Sequence, residues 1–383
     1  MTVATLVAAL AGCSGNDGAS PPPSTPATVP LAAVPFAKVD LPAAGGVPTA
    51  LAAAKDTLLI GTYRDGAPLV PGLFKRAPDG TVSEIPSQGV SPYGLIARWF
   101  SIVSDGDRIL AIGGENGGAH GNVRWSVWTG GLSGISEKSQ AFSTFGGYGA
   151  GELSDAVLIG PGSAIVGTWQ SAKAGYDVAT WLPDGDNWNR QESAGTPLES
   201  TLDQLPFPIA ATTLGQGILV AGWALTSKPG SGPTPFVWQS AQGVTGWTKG
   251  ELPEPGHDGA AMSVRCWESE CGIAGRVDGR LAAWRLDNGK WARLAGEPPV
   301  PVSDKDHLAA PLRVGGKLTL LVSEGGKVRI AQSDGAKWTV RDAAGPTGTV
   351  VAATQVGDAI YVVAGPDDKN HGVWRVDADA LSH

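Results

Sequence analysis

Charge is scarce in this chain: Asp, Glu, Lys and Arg together make up 17% of 383 residues. Disorder needs low hydrophobicity as well, and apolar residues reach 42%, so there is enough surface to bury in a core. Positive charge is the minority sign. With 28 Lys and Arg against 36 Asp and Glu, the net charge of -8 leaves no basic stripe to meet phosphates, which argues against a nucleic-acid partner. Phe and Tyr are few, 7 and 5, and are outnumbered by 14 Trp. Coiled coils and helical bundles are excluded by 55 Gly and 29 Pro, which weaken or break helix interiors at this density. What remains is an all-β protein of many short strands and many turns, in one large architecture or two domains.

The first residues read as an address. Thr2 to Gly12 form an apolar run of about ten residues, too short to span a bilayer but suited to the core of a signal peptide. Leu10-Ala11-Gly12-Cys13 resembles the bacterial lipobox. That resemblance implies cleavage after residue 12, lipidation of Cys13 and attachment to the cell membrane on its extracytoplasmic face; two acyl chains on one residue suffice for stable anchoring. The run lacks the Lys or Arg that normally opens such signals, so a start further upstream is expected. Residues 13–34, with the stretch SGNDGASPPPSTPATVP, read as a Gly/Ser/Pro tether, part flexible and part stiff.

From residue 35 to 383 the chain repeats itself. Seven apolar segments recur, LLIG, LAIG, AIVG, LVAG, GIAG, LLVS and VVAG, from the one ending at Gly61 to the one ending at Gly365. The period is about fifty residues. Each follows a strand-like segment and a tight polar turn, such as Lys55-Asp56 or Gly315-Gly316. Each precedes a third strand carrying a large aromatic: Phe74, Trp128, Trp181, Trp238, Trp284 or Trp374, the sixth repeat excepted. A Gly-containing turn and an outer strand complete the unit. Four antiparallel strands at this period define a β-propeller blade, so the expected fold is a seven-bladed β-propeller. The last repeat runs out before its outer strand. The segment FAKVDLP, Phe36 to Pro42, is similar to the outer strand WTKGELP of the fourth repeat, and is expected to complete the seventh blade and close the ring. The aromatics in the third strands are expected to pack between blades rather than to form a ligand box.

Chemistry is harder to place. Cys266 and Cys271 flank a four-residue turn in the fifth repeat; a hairpin there sets the two in disulfide range, as expected of an exported chain, whereas a zinc site would need other spacing and a nearby His. The long connections fall on one face, between second and third strands and between blades, and they gather in repeats one to four; turns on the other face read as structural. On the long-loop face, Phe142, Phe145 and Tyr148 interleave with small residues ahead of Glu152 and Asp155, a composition suited to stacking on sugars or docking a protein segment. Tyr93, His120, His257 and His371 belong to the same face. No diagnostic catalytic motif is present. Glu115, Glu152, Asp155 and Asp177 are candidate carboxylates without a paired arrangement, and Arg64, Arg98, Arg265 and Arg313 are not tied together by any motif. Ser333-Asp334-Gly335-Ala336-Lys337-Trp338 resembles a shortened sialidase Asp-box, which folds blades and is not catalytic. Asp105-Gly106-Asp107 reads as a plain turn rather than a calcium site. The chain as a whole resembles secreted bacterial β-propeller lipoproteins. The resemblance implies a monomeric, membrane-tethered binding or scaffold module without cofactor or metal, holding a protein or a cell-wall glycan. A glycan-active enzyme of sialidase or lyase type and an assembly factor for a membrane complex are the alternatives.

Overall fold

A computed structural model of the chain describes residues 31–43, 45–117, 121–227, 230 and 232–382. The signal-like segment, Cys13 and the tether as far as residue 30 lie outside the described residues, as does His120. Each repeat folds into one antiparallel sheet, because its apolar runs are short, rich in β-branched residues and cut by Gly-containing turns. In blade one the strands Val47–Ala54, Thr57–Tyr63, Pro71–Arg76 and Val82–Glu84 pair in sequence order. The innermost strands of blades two to seven are Arg98–Ser104, Gly151–Ile159, Gln204–Leu214, Gly259–Trp267, Leu312–Val314 and Thr349–Val356.

Seven such sheets close a ring, as the repeat count implies. The closure is the expected one: Ala37–Val39 pairs antiparallel with Gly372–Asp377, the third strand of blade seven. Just before it, Val34 and Pro35 pair in parallel with Ala343 and Ala344 on the outer strand of blade six. The start of the propeller therefore ties two blades to each other, and Val34 is buried in doing so.

The recurrent glycine has a steric cause. In six blades the innermost strand carries a register shift opposite or next to that glycine, one extra residue standing at Thr49, Phe100, Ser154, Ile209, Met262 or Val351. In blades three, four and five the backbone beside the bulge presses onto the neighbouring strand. A Cβ at Gly167 would lie 2.1 Å from the Glu152 carbonyl oxygen, and one at Gly222 equally close to that of Phe207. Blade six, where the motif ends in Ser323, has no such shift and an innermost strand of three residues. Ser323 Oγ instead accepts a 2.8 Å hydrogen bond from the Val350 amide of blade seven.

Seven apolar clusters hold the ring, one at each contact between neighbouring blades. Trp128, Trp181, Trp238 and Trp284 are fully buried in four consecutive wedges. Each stands opposite the residue two places before its blade's glycine, so all four point to the same face of their sheets. Trp374 stands opposite Val362, three places before Gly365. It nevertheless packs on the same face as the other four, in the wedge against the preceding blade, because the bulge of blade seven lies opposite Ala364 rather than Gly365, and it is only partly buried. The expectation that these aromatics serve packing holds, with Trp374 the least enclosed.

Candidate functional site

The innermost strands start at the long-loop face and end at the short-turn face, which gives the ring two chemically distinct ends. At the long-loop end, the connection into blade two makes a one-turn helix, Pro92–Ile96, capped by Ser91, whose Oγ accepts from the Gly94 amide at 2.9 Å. Glu137, on the outer strand of blade two, holds this turn in place. Its carboxylate accepts from the amides of Val90 and Ser91 at 2.7 and 2.8 Å and from the Ser91 hydroxyl. A Cβ at residue 94 would sit 2.1 Å from that carboxylate, so any larger residue there would push Glu137 out of these bonds.

This arrangement sets Tyr93 beside the 141–150 loop and opens a cavity of about 220 Å³ between blades two and three. Three of the aromatics expected on this face line it, Tyr93, Phe142 and Phe145. Phe142 lies 6.3 Å from Tyr93 and 4.7 Å, edge-on, from Tyr148. Beneath them is Arg124, 7% exposed, with its guanidinium 4.3 Å from the Phe142 ring centre and Nη1 donating to the Gly147 carbonyl at 2.6 Å. Phe145 turns inward and packs edge-on against Trp181, whose indole N–H donates to Thr144 O at 2.9 Å. The loop is thus pinned from below by one of its aromatics and presents another, Tyr148, at 75% exposure.

Other residues singled out from sequence do not join this group. Glu152 is exposed near the start of the innermost strand of blade three and does not line the cavity. Three of the candidate carboxylates are committed to the framework. Glu115 pairs with Arg98 at 2.9 Å, and Asp177 accepts from the Ser200 amide at 2.7 Å. Asp155 is held by Ser101 Oγ and by the amides of Ala156 and Ala211, joining blades two, three and four. Burial pushes its pKa up, opposed by those three donors. His257 is an exposed loop residue, while the ring nitrogens of His371 are buried at the start of the third strand of blade seven. The Ser333–Trp338 turn is a blade turn, in which Asp334 accepts from the amides of Ala336 and Lys337. Among the described residues no cluster of three or more potential metal ligands occurs. Cys266 and Cys271 are directly paired across their hairpin, Cα atoms 4.0 Å apart, and form the expected disulfide.

Arg124 and Glu137 were not among the residues singled out, and only one left a signal. Arg124 precedes Trp128 by four residues on one strand, so it shares the inward face, and an Arg on a buried face requires local partners. Glu137 looks like any charged residue at a strand end until the connection it holds is seen.

Around the cavity the apolar surface is concentrated. Ten of the eleven exposed large hydrophobic residues belong to this face over blades two to four. Val90, Tyr93, Leu95 and Ile96 lead into blade two and Phe100 is its bulged residue; Tyr148 and Tyr176 belong to blade three, and Leu202, Ile209 and Leu225 to blade four. Leu202, at 86%, is the most exposed. The expectation that the long loops make one face lopsided thus has an apolar counterpart.

No family model matches the chain, and no curated protein matches it in sequence. Solved structures do match, at identities that establish the fold alone. One is YCF48 bound to D1 peptide, with 12% identity and a TM-score of 0.53 over 91% of this chain and 99% of that one. Another is the polysaccharide lyase Uly1, also at 12% and 0.53, over 93% and 94% of the two chains. A puromycin-hydrolyzing peptidase from Mycobacterium tuberculosis matches at 14% and 0.53, over 92% of this chain and 55% of its own. The molecule is a seven-bladed β-propeller, a scaffold that these proteins use for peptide binding and for enzymes alike.

Proposed function

We propose that this protein is a lipid-anchored binding module of the extracytoplasmic membrane face, docking a segment of a protein partner on its long-loop face over blades two to four. The observation that carries the reading is the gathering of ten exposed large hydrophobic side chains on that face. Soluble monomers rarely leave such groups clustered unless something covers them. Aromatics over a cation, Phe142 and Tyr93 above Arg124, make a firm anchor point, and Glu137 keeps the neighbouring loop rigid. The peptide-bound YCF48 propeller is a precedent for the scaffold in such a role. A glycan-cleaving role has less support, since Glu115, Asp155 and Asp177 are engaged in internal bonds. The anchor rests on the resemblance of Leu10 to Cys13 to a lipobox.

Two experiments test this. Cys13→Ala should move the protein from the membrane fraction to the medium; retention in the membrane would refute the anchor. Affinity capture from cross-linked cells, comparing wild type with Tyr93→Asp/Tyr148→Asp/Leu202→Asp, tests the docking face. A partner recovered equally with both proteins would place docking elsewhere.

A further inference from the structure

At the short-turn end the axial channel widens into an open cavity of about 740 Å³, a size typical of small-molecule sites. Its wall comes from the ends of innermost strands in blades one, two, five, six and seven. Two cations and one carboxylate, Glu268, line it, and the two cations are in different situations. Arg313 is paired with Glu270 at 3.3 Å. Arg265 has a single bond, from Nη2 to the carbonyl of Ala353 two blades away, at 3.0 Å. Among the described residues no carboxylate lies within ion-pair reach of it, and the surrounding protein pushes its pKa down to about 10 through burial alone. It remains charged at neutral pH, so the cavity holds a guanidinium with most of its donors unassigned, in a protein whose net charge is negative.

Its position is well fixed. Arg265 immediately precedes Cys266, whose disulfide to Cys271 closes the hairpin at the rim of the cavity. Trp267 of the same hairpin packs into the apolar cluster between blades five and six. Thr354 and Gln355 of blade seven and Ser104 of blade two add polar side chains to the same wall.

We infer that the short-turn mouth of the channel binds a small oxyanion, a carboxylate- or phosphate-bearing molecule, with Arg265 as its charged contact. A guanidinium presents paired N–H donors that match either group. This site is separate from the proposed docking face and does not depend on it. The turns of this face are short and structural, and the side chain that matters here lies on the strand leading into one of them.

The test is isothermal titration of the full chain with inorganic phosphate and with citrate, at constant ionic strength set by chloride. Wild type should bind at least one probe saturably at one site. Binding should weaken at least tenfold in Arg265→Met and less in Arg265→Lys, and remain as in wild type in Arg285→Gln, a half-exposed site on the third strand of blade five outside the cavity. Phosphate alone would identify a phosphoryl group as the ligand chemistry, citrate alone a carboxylate. Absence of saturable binding to either probe by wild type overturns the proposal, as does unchanged affinity in Arg265→Met. If Arg265→Met loses its circular dichroism spectrum, Arg265→Lys decides, and wild-type affinity there overturns the proposal too.

Discussion

The two ends of the ring are made from the same blades and carry opposite chemistry. At the long-loop end, connections are long, aromatic and apolar, and they cover blades two to four. At the short-turn end the connections are tight, none of the turns exposes a large hydrophobic side chain, and the axial mouth is polar, with Arg265, Arg313 and Glu268 in its wall. The difference teaches where each end can vary. Loops can present apolar side chains without disturbing the sheets, whereas a tight turn leaves room for chemistry only on the strands that lead into the channel.

Mutations can break this contrast. The largest effect is expected from Trp181→Ala, which empties the wedge between blades two and three and removes the bond that holds Thr144. It should cost about 3–5 kcal/mol in chemical denaturation and free the 141–150 loop to proteolysis, while leaving binding at Arg265 intact in the folded fraction. Removing the disulfide with Cys266→Ala/Cys271→Ala should cost about 2 kcal/mol, since the closed loop is short, and should loosen only the short-turn end. Hydrogen exchange that slows nowhere but rises at the long-loop end instead would contradict that assignment.

Glu137→Gln should cost about 1–3 kcal/mol, because an amide group cannot accept from Val90, Ser91 and the Ser91 hydroxyl together; the loss should appear as faster exchange in residues 88–97. Asp155 sharpens the comparison through pH. Its folded pKa is raised, so the stability it contributes is full below its unfolded value and is lost as pH rises through the folded one. Wild type should therefore lose melting temperature relative to Asp155→Asn between pH 4 and pH 7; a constant difference would show that the three donors cancel the burial. Tyr148→Ala should have the smallest effect on stability, within about 0.5 kcal/mol, because the side chain is exposed. Partner capture should nonetheless fall, a combination that separates binding from folding.

Much of the fold was legible because its signals are local and repeated. Glycine after an apolar run, a tight turn before it and Trp two strands on can be counted along the chain, and the similarity of FAKVDLP to WTKGELP foretold the closing strand. The aromatic face was legible in part. Tyr93, Phe142 and Phe145 do line one cavity, but Glu152, adjacent in sequence, does not meet them. Its strand carries it toward the axis while the loop residues turn outward.

Order along the chain determined the number of blades, their strand order and the placement of Trp in the wedges, since these follow from periodicity and burial. Only the tertiary structure decided why the repeats of blades three, four and five need glycine, which depends on a bulge in the neighbouring strand that has no residue signature of its own. It alone also decided the surroundings of Arg124 and Arg265. Both are single charged residues on strands, and whether such a residue faces solvent, a ring stack or an unpaired cavity depends on blades contributed by distant parts of the chain. Electrostatic environment is set by distance in space, which the ring creates and the order of residues does not record.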